Sequence, residues 1–453
     1  MRRFCRHITC VLGASLVAVG LAHAQPIAIT NARIETAGPA GRIERGTLIF
    51  DKGRILAVGA NLTIPQGAQV IDAKGGVVTP GLVLATSSLA IAEIEQVPSA
   101  RDDGAGPSLG AAFDPSGGIN PDSPNIALAR LNGVTRAFLT PVSGRSSNGA
   151  HAHDDSAFAT AGGHEENDPT LFAGQSVGIQ LASGSSDMVF KTNAGMVLEF
   201  GESAAAAAGG SRGASLVILR RVLADVRHFI ANRAAYDRGD GRELLVSRLD
   251  LEALIPVVQG RSPLLVRVSS APDILQILKL ARAEKLKLIL EGAEEGWRVA
   301  GQIASADVPV IVDSQAALPS SFETLGTSLN NATKLHAAGV SVSIMGSRDY
   351  NNLRQSRMNA GTALGYGLPY QAAMQAITLN PAKIWGVDRE IGSLEVGKIA
   401  DVVVWTGEPL DGTEVPMAVY IGGKAQALTS RSTALAARYK PTTDTLPRPA
   451  YRQ

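Results

Sequence analysis

Cysteine is almost absent from this chain of 453 residues: there are two, Cys5 and Cys10. Both fall within MRRFCRHITCVLGASLVAVGLAHA, which opens on Arg2, Arg3 and Arg6, continues as an apolar run and ends in Ala22-His23-Ala24. That is the form of a secretory signal peptide. The run is shorter than the ~20 residues a membrane-spanning helix needs. Residues 1–24 are therefore expected to be removed near Ala24, leaving a periplasmic or secreted chain. Neither cysteine stands at the cleavage point, so nothing points to a lipid anchor. A mature chain without cysteine has no disulfide, no thiol nucleophile and no zinc–thiolate site.

Charge of one sign is missing as well. Forty-two basic residues face 41 acidic ones, which argues against nucleic acid or an anionic membrane as partner. No later apolar run is long enough for a membrane helix, so no membrane insertion is expected after cleavage. No G-x-S-x-G elbow occurs. FAGQS (172–176) and GGSRG (209–213) lack the Lys-Ser/Thr of a phosphate loop and read as turns.

What is present is a change of rhythm along the chain. IAITNARIE, GTLIFDKGRILAVG and QVIDAKGGVV alternate apolar and polar residues between turn signals, and ADVVVWTG (400–407) and MAVYIGGKAQ (417–426) repeat that texture. Residues 25–78 plus 390–430 are expected to build one small β-sandwich from both chain ends. Between them, GVTRAFLTP, SVGIQLAS, LLVRVSS, KLILEGA, VPVIVDS and VSVSIMG are short apolar runs suited to a buried parallel sheet. VVTPGLVLA gives a seventh and GMVLEFGE (195–202) an eighth, although residues 185–262 are poorly periodic. Helical spacing over 274–285, 298–306 and 321–339 separates the later runs. The fold class is α/β: a (β/α)8 TIM-type barrel over 79–389, with 431–453 as a C-terminal helix or tail. Residues 100–124 and 142–170 read as loops at the barrel mouth.

The lead-in NARI…GTLIFDKGRILAVG…AQVIDAKGGVVTPGL and the closing ITLNPAKIWGVDREIGSLEVGKIADVVVWTGEPL resemble the amidohydrolase superfamily. Within it they resemble the secreted, imidazolonepropionase-like branch. INPDSPNIALARLNGVTRAFLTP, LFAGQSVGIQL and AGVSVSIMGSRDYNNLRQ fit the same branch. The resemblance implies hydrolysis of carbon–nitrogen bonds other than peptide bonds, at one or two divalent metals. A His-x-His pair, further histidines and an aspartate would hold them. Those positions carry other residues here. The pair falls on Thr86 and Ser88, and the family aspartate before it on Leu84. The middle-strand histidine falls on Arg267 or Ser269, and the next ligand on Glu291. The last strand offers Ser347, Arg348 and Asp349, the aspartate one residue late. Hydroxyls are poor zinc donors and a guanidinium opposes a dication.

Chemistry elsewhere is the alternative. NGAHAHDDSAFATAGGHEEND places His151, His153 and His164 among acids, a composition suited to weak metal capture, but on a loop. His228 and His336 each stand alone on helices. Glu291, Glu294, Glu295, Asp313 and Asp349 could supply a facing acid pair, with Glu294 and Glu295 expected on the solvated start of the next helix. The leading expectation is a degenerate, metal-free member, a pseudoenzyme that binds a small molecule through Thr86, Ser88, Arg267, Ser269, Ser347 and Arg348. The second is an active hydrolase using Glu291 and Asp349, with zinc if active. The third is a metal-handling protein acting through the His151–His164 loop. Self-association into a homo-oligomer is common among relatives.

Overall fold

The computed structural model describes residues 25–94, 97–104, 110–143, 171–346 and 355–439. Five strands open the chain: β1 (Ile27–Glu35), β2 (Arg42–Asp51), β3 (Arg54–Gly59), β4 (Gln69–Asp72) and β5 (Val77–Pro80). Eight follow: β6 (Leu82–Ser87), β7 (Val134–Leu139), β8 (Phe172–Gln180), β9 (Val189–Glu199), β10 (Leu264–Val268), β11 (Leu288–Gly292), β12 (Val310–Val312) and β13 (Val342–Ile344). Three close it: β14 (Val402–Trp405), β15 (Pro416–Ile421) and β16 (Lys424–Ala425).

The first and last groups form one eight-stranded sheet of order β16-β15-β14-β5-β1-β2-β3, with β4 also on β1. β14 pairs antiparallel with β5, which joins the two ends of the chain in that sheet. Its core is Ile29, Ile34, Leu48, Phe50, Val78, Val402 and Val404. The chain leaves this sheet at Pro80 and enters the barrel at Leu82. Gly81 makes that step, and a Cβ there would lie 2.1 Å from Thr135 Oγ1. Only glycine fits.

β6 to β13 form the second eight-stranded sheet, in sequence order and nearly closed. The last gap, between β13 and β6, is bridged by the helical segment behind it. Val83 N donates to Ile377 O at 2.9 Å, and Asn380 Nδ2 donates to Val342 O at 2.7 Å. β8 is the departure from a repeating β/α unit: it runs antiparallel to both neighbours. Residues 181–188 alone connect β8 to β9. A parallel crossover needs roughly a dozen residues or more, so so short a link forces a hairpin.

Helices Arg212–Ala231, Arg248–Val258 and Ala271–Glu284 pack outside the barrel. The last of these meets the sequence expectation. The helix expected over 321–339 does not form as one piece. It reduces to a turn at Phe322–Thr324 and a helix at Asn331–Ala337, with Phe322 and Leu325 exposed.

Candidate functional site

Alternation along each barrel strand decides what enters the mouth. On β10, Leu264, Val266 and Val268 join the core against the helices, while Leu265 faces the barrel interior. The same two-residue period then brings Arg267 inward. On β11 Leu288 and Leu290 point out, so Ile289 and Glu291 share the inner face. On β9 Met196 and Leu198 point out, so Val197 and Glu199 share it. Register completes the arrangement. Arg267 lies directly opposite Glu199 on one side and Glu291 on the other. Three charged residues thus form one row across three adjacent strands, at their C-terminal ends.

Arg267 is nearly buried, at 9% exposure, and makes four hydrogen bonds to fixed acceptors. Nη1 donates to Glu199 Oε1 at 2.7 Å and to Pro141 O at 2.7 Å. Nε donates to Glu291 Oε1 at 3.1 Å, and Nη2 to Thr140 O at 3.4 Å. Burial alone would weaken its hold on the proton. The Glu291 and Glu199 carboxylates more than reverse that and raise it above its already high ordinary value.

Thr86 reaches the same mouth past a register shift between Leu84 and Ser87. Its hydroxyl donates to Met345 Sδ at 3.6 Å, just beyond β13. Ser88 and Ser269 sit half-buried at the ends of their strands, and their main-chain carbonyls accept from Ile91 and Ala92 and from Glu295. Beyond β12, Asp313 Oδ1 accepts from Gln315 N at 2.9 Å and from Asn359 Nδ2 at 3.4 Å. Asn359 Nδ2 also donates to Met345 O at 2.9 Å, which ties the ends of β12 and β13 together.

Arg267 and Glu291 are therefore brought into contact, with Thr86 at the same mouth. Ser347, Arg348 and Asp349 lie outside the described residues, as do His151, His153 and His164. Glu199 was missed by sequence reasoning. Its only signal was an acid ending the apolar run MVLE in a region without clear period. Glu295 needs correction. It is buried, not solvated, and accepts from Ala271 N at 3.1 Å and Gly326 N at 2.8 Å. It does precede the helical turn Gly296–Val299 as its N-cap, but its carboxylate is spent on the first turn of the neighbouring helix Ala271–Glu284.

The described residues of the mouth do not fit a divalent ion. Among the described residues no group of three or more His, Cys, Asp or Glu is placed to hold one. Thr86 offers a neutral hydroxyl, and the Glu291 and Glu199 oxygens face a guanidinium that repels cations.

An amidohydrolase family model matches residues 279–428. A crystal structure of an amidohydrolase from Thermotoga maritima MSB8 superposes with a TM-score of 0.75 at 25% identity, covering 88% of this chain and 99% of that one. Residues 279–428 thus match the amidohydrolase family, and the chain as a whole has the fold of an amidohydrolase. Molinate hydrolase shares the fold, at a TM-score of 0.51 and 17% identity over 95% of this chain and 99% of that one. Amidohydrolase tasK of Hapsidospora irregularis is 37% identical over 75 residues, 17% of this chain and 8% of that protein's length. The chain thus spans only a small part of that curated relative. This chain carries the Glu199–Arg267–Glu291 row at the ends of its barrel strands.

Proposed function

We propose that this chain uses its barrel mouth to bind a small molecule without a resident metal ion. One observation carries the reading. Arg267 is clamped by Glu199, Glu291 and two main-chain carbonyls on the strand end where the superfamily resemblance implies a metal ligand, at Arg267 or Ser269. A guanidinium so fixed brings its charge without the lone pair that a metal needs, and it occupies the two nearest carboxylates. Two carboxylates against one guanidinium favour a ligand bearing N–H groups, such as an amide or amine. The branch reading, imidazolonepropionase-like, and a periplasmic or secreted site of action rest on the sequence motifs and on the 1–24 leader.

Hydrolysis of carbon–nitrogen bonds is the second reading, and the superfamily resemblance favours it. It would use Glu291 and Asp349, with zinc supplied by residues beyond the described mouth. A panel of amides and lactams, assayed with and without added zinc, separates the two. Saturable binding without turnover is expected. Turnover that is lost in Asp349→Asn overturns the binding reading.

A further inference from the structure

The opposite end of the barrel, where the strands begin, opens into a cavity of about 1770 Å³. Seven cationic side chains line it. Lys191 starts β9, Arg261 precedes β10, Lys279 and Arg282 belong to the helix Ala271–Glu284, Lys285 and Lys287 lead into β11, and Lys383 lies on the helix Leu379–Ile384. Asp307 is the one acid among the lining residues. None of the seven forms an ion pair with a carboxylate among the described residues; Arg261 bonds Gln259 instead. Glu395 feels Lys383 but is itself bound to Lys398.

Several exposed arginines elsewhere are paired, as in Arg54–Glu390, Arg227–Glu284, Arg233–Glu252 and Arg238–Asp240. The chain as a whole is balanced at 42 basic and 41 acidic residues. Seven cations against one acid is therefore a local excess at this cavity. Gathering like charge in a concavity costs stability and focuses a positive potential, and an anion relieves both. At its base Ile289, Ile384 and Trp385 belong to the packed barrel interior, so the cavity is cut off from the Arg267 mouth. Its volume exceeds the ~300–1,000 Å³ of a usual small-ligand pocket, which suits a ligand with several charged groups.

We propose that the N-terminal mouth of the barrel binds a soluble anion carrying several phosphate groups. This site is independent of the binding reading at the other mouth. The test is calorimetric titration of the full chain with sodium tripolyphosphate. A Lys279→Gln/Arg282→Gln/Lys285→Gln variant is compared with an Arg220→Gln/Arg221→Gln/Arg238→Gln control of equal charge loss; all six positions are exposed. Saturable binding is expected, weakened about tenfold or more in the cavity variant and retained in the control, since contacts to charged groups are the stronger kind. The proposal is overturned by absent saturation, or by equal weakening in both variants. It is also overturned if phosphatidylglycerol vesicles bind the chain while tripolyphosphate does not.

Discussion

Arg267 Nη1 lies 2.7 Å from Glu199 Oε1, and the two residues face each other across the parallel pair β9–β10. Glu291 stands opposite Arg267 on the other side, at 3.1 Å. Removing the guanidinium would strand two carboxylates in the mouth. Arg267→Met is expected to lose about 3–5 kcal/mol, the usual penalty for breaking a buried pair from one side. Urea unfolding measures it, and a loss under about 1 kcal/mol, the scale of an exposed pair, would mean that water already screens the cluster.

A second buried pair fastens the barrel to the other sheet. Arg136 on β7 donates to both oxygens of Asp401, at 2.7 and 3.3 Å, and its guanidinium lies 4.9 Å from the centre of the Phe190 ring. Asp401 Oδ1 also accepts from Gly422 N at 2.8 Å, at the turn between β15 and β16. Asp401→Ala should cost about 3–5 kcal/mol, because Arg136 would remain buried and unmatched. A double variant that also carries Arg136→Met should recover much of that loss. Equal stability of single and double variants would contradict this assignment.

Tyr370 supplies an alkaline limit. It donates to Glu408 Oε1 at 2.8 Å. Burial first, and then that hydrogen bond, push its hydroxyl far above the ordinary tyrosine range. The folded chain therefore keeps this proton while the unfolded chain releases it near pH ~10. Above that value the native state binds more protons than the unfolded state, so stability falls as pH rises. Tyr370→Phe should be less stable at neutral pH yet lose less between about pH 9 and 11. Parallel slopes for the two proteins in urea midpoint against pH would sink the assignment.

Inside the barrel, Trp385 stacks on Phe138 with ring centroids 5.1 Å apart, and its Nε1 donates to Ala85 O at 2.8 Å. A Cβ at Gly195 would come within 2.6 Å of this ring, so the packing has no slack. Trp385→Ala is expected to cost about 3–5 kcal/mol through the cavity it leaves. A thermal melt reads the loss as a lowered Tm; an unchanged Tm would show that the ring is not part of the core.

The sequence made most of the barrel legible, because strands buried on both faces leave apolar runs whichever way they point. That same indifference hid the direction of β8. VGIQL buries the same side chains parallel or antiparallel, and only the short 181–188 connection decides. Arg267 and Glu291 could be read as mouth residues because they end the clean runs LLVRV and LILEG. Glu199 could not, since its strand begins with the half-buried and exposed residues Val189–Asn193 and so lacks a steady pattern. Glu295 misled for another reason: Glu294-Glu295 looks like a solvated helix start, and the fold brings two main-chain N–H donors to Glu295 from distant segments.

Zinc stoichiometry of the full chain, with His151, His153 and His164 replaced by glutamine, tests the central claim most directly. Removing those imidazoles leaves the barrel mouth as the site under question. After equilibration with zinc and gel filtration, the chain is expected to retain none. Stoichiometric zinc that is lost on Glu291→Gln or Thr86→Val would contradict it, because that ion would then be held beside Arg267, where the proposed function places none.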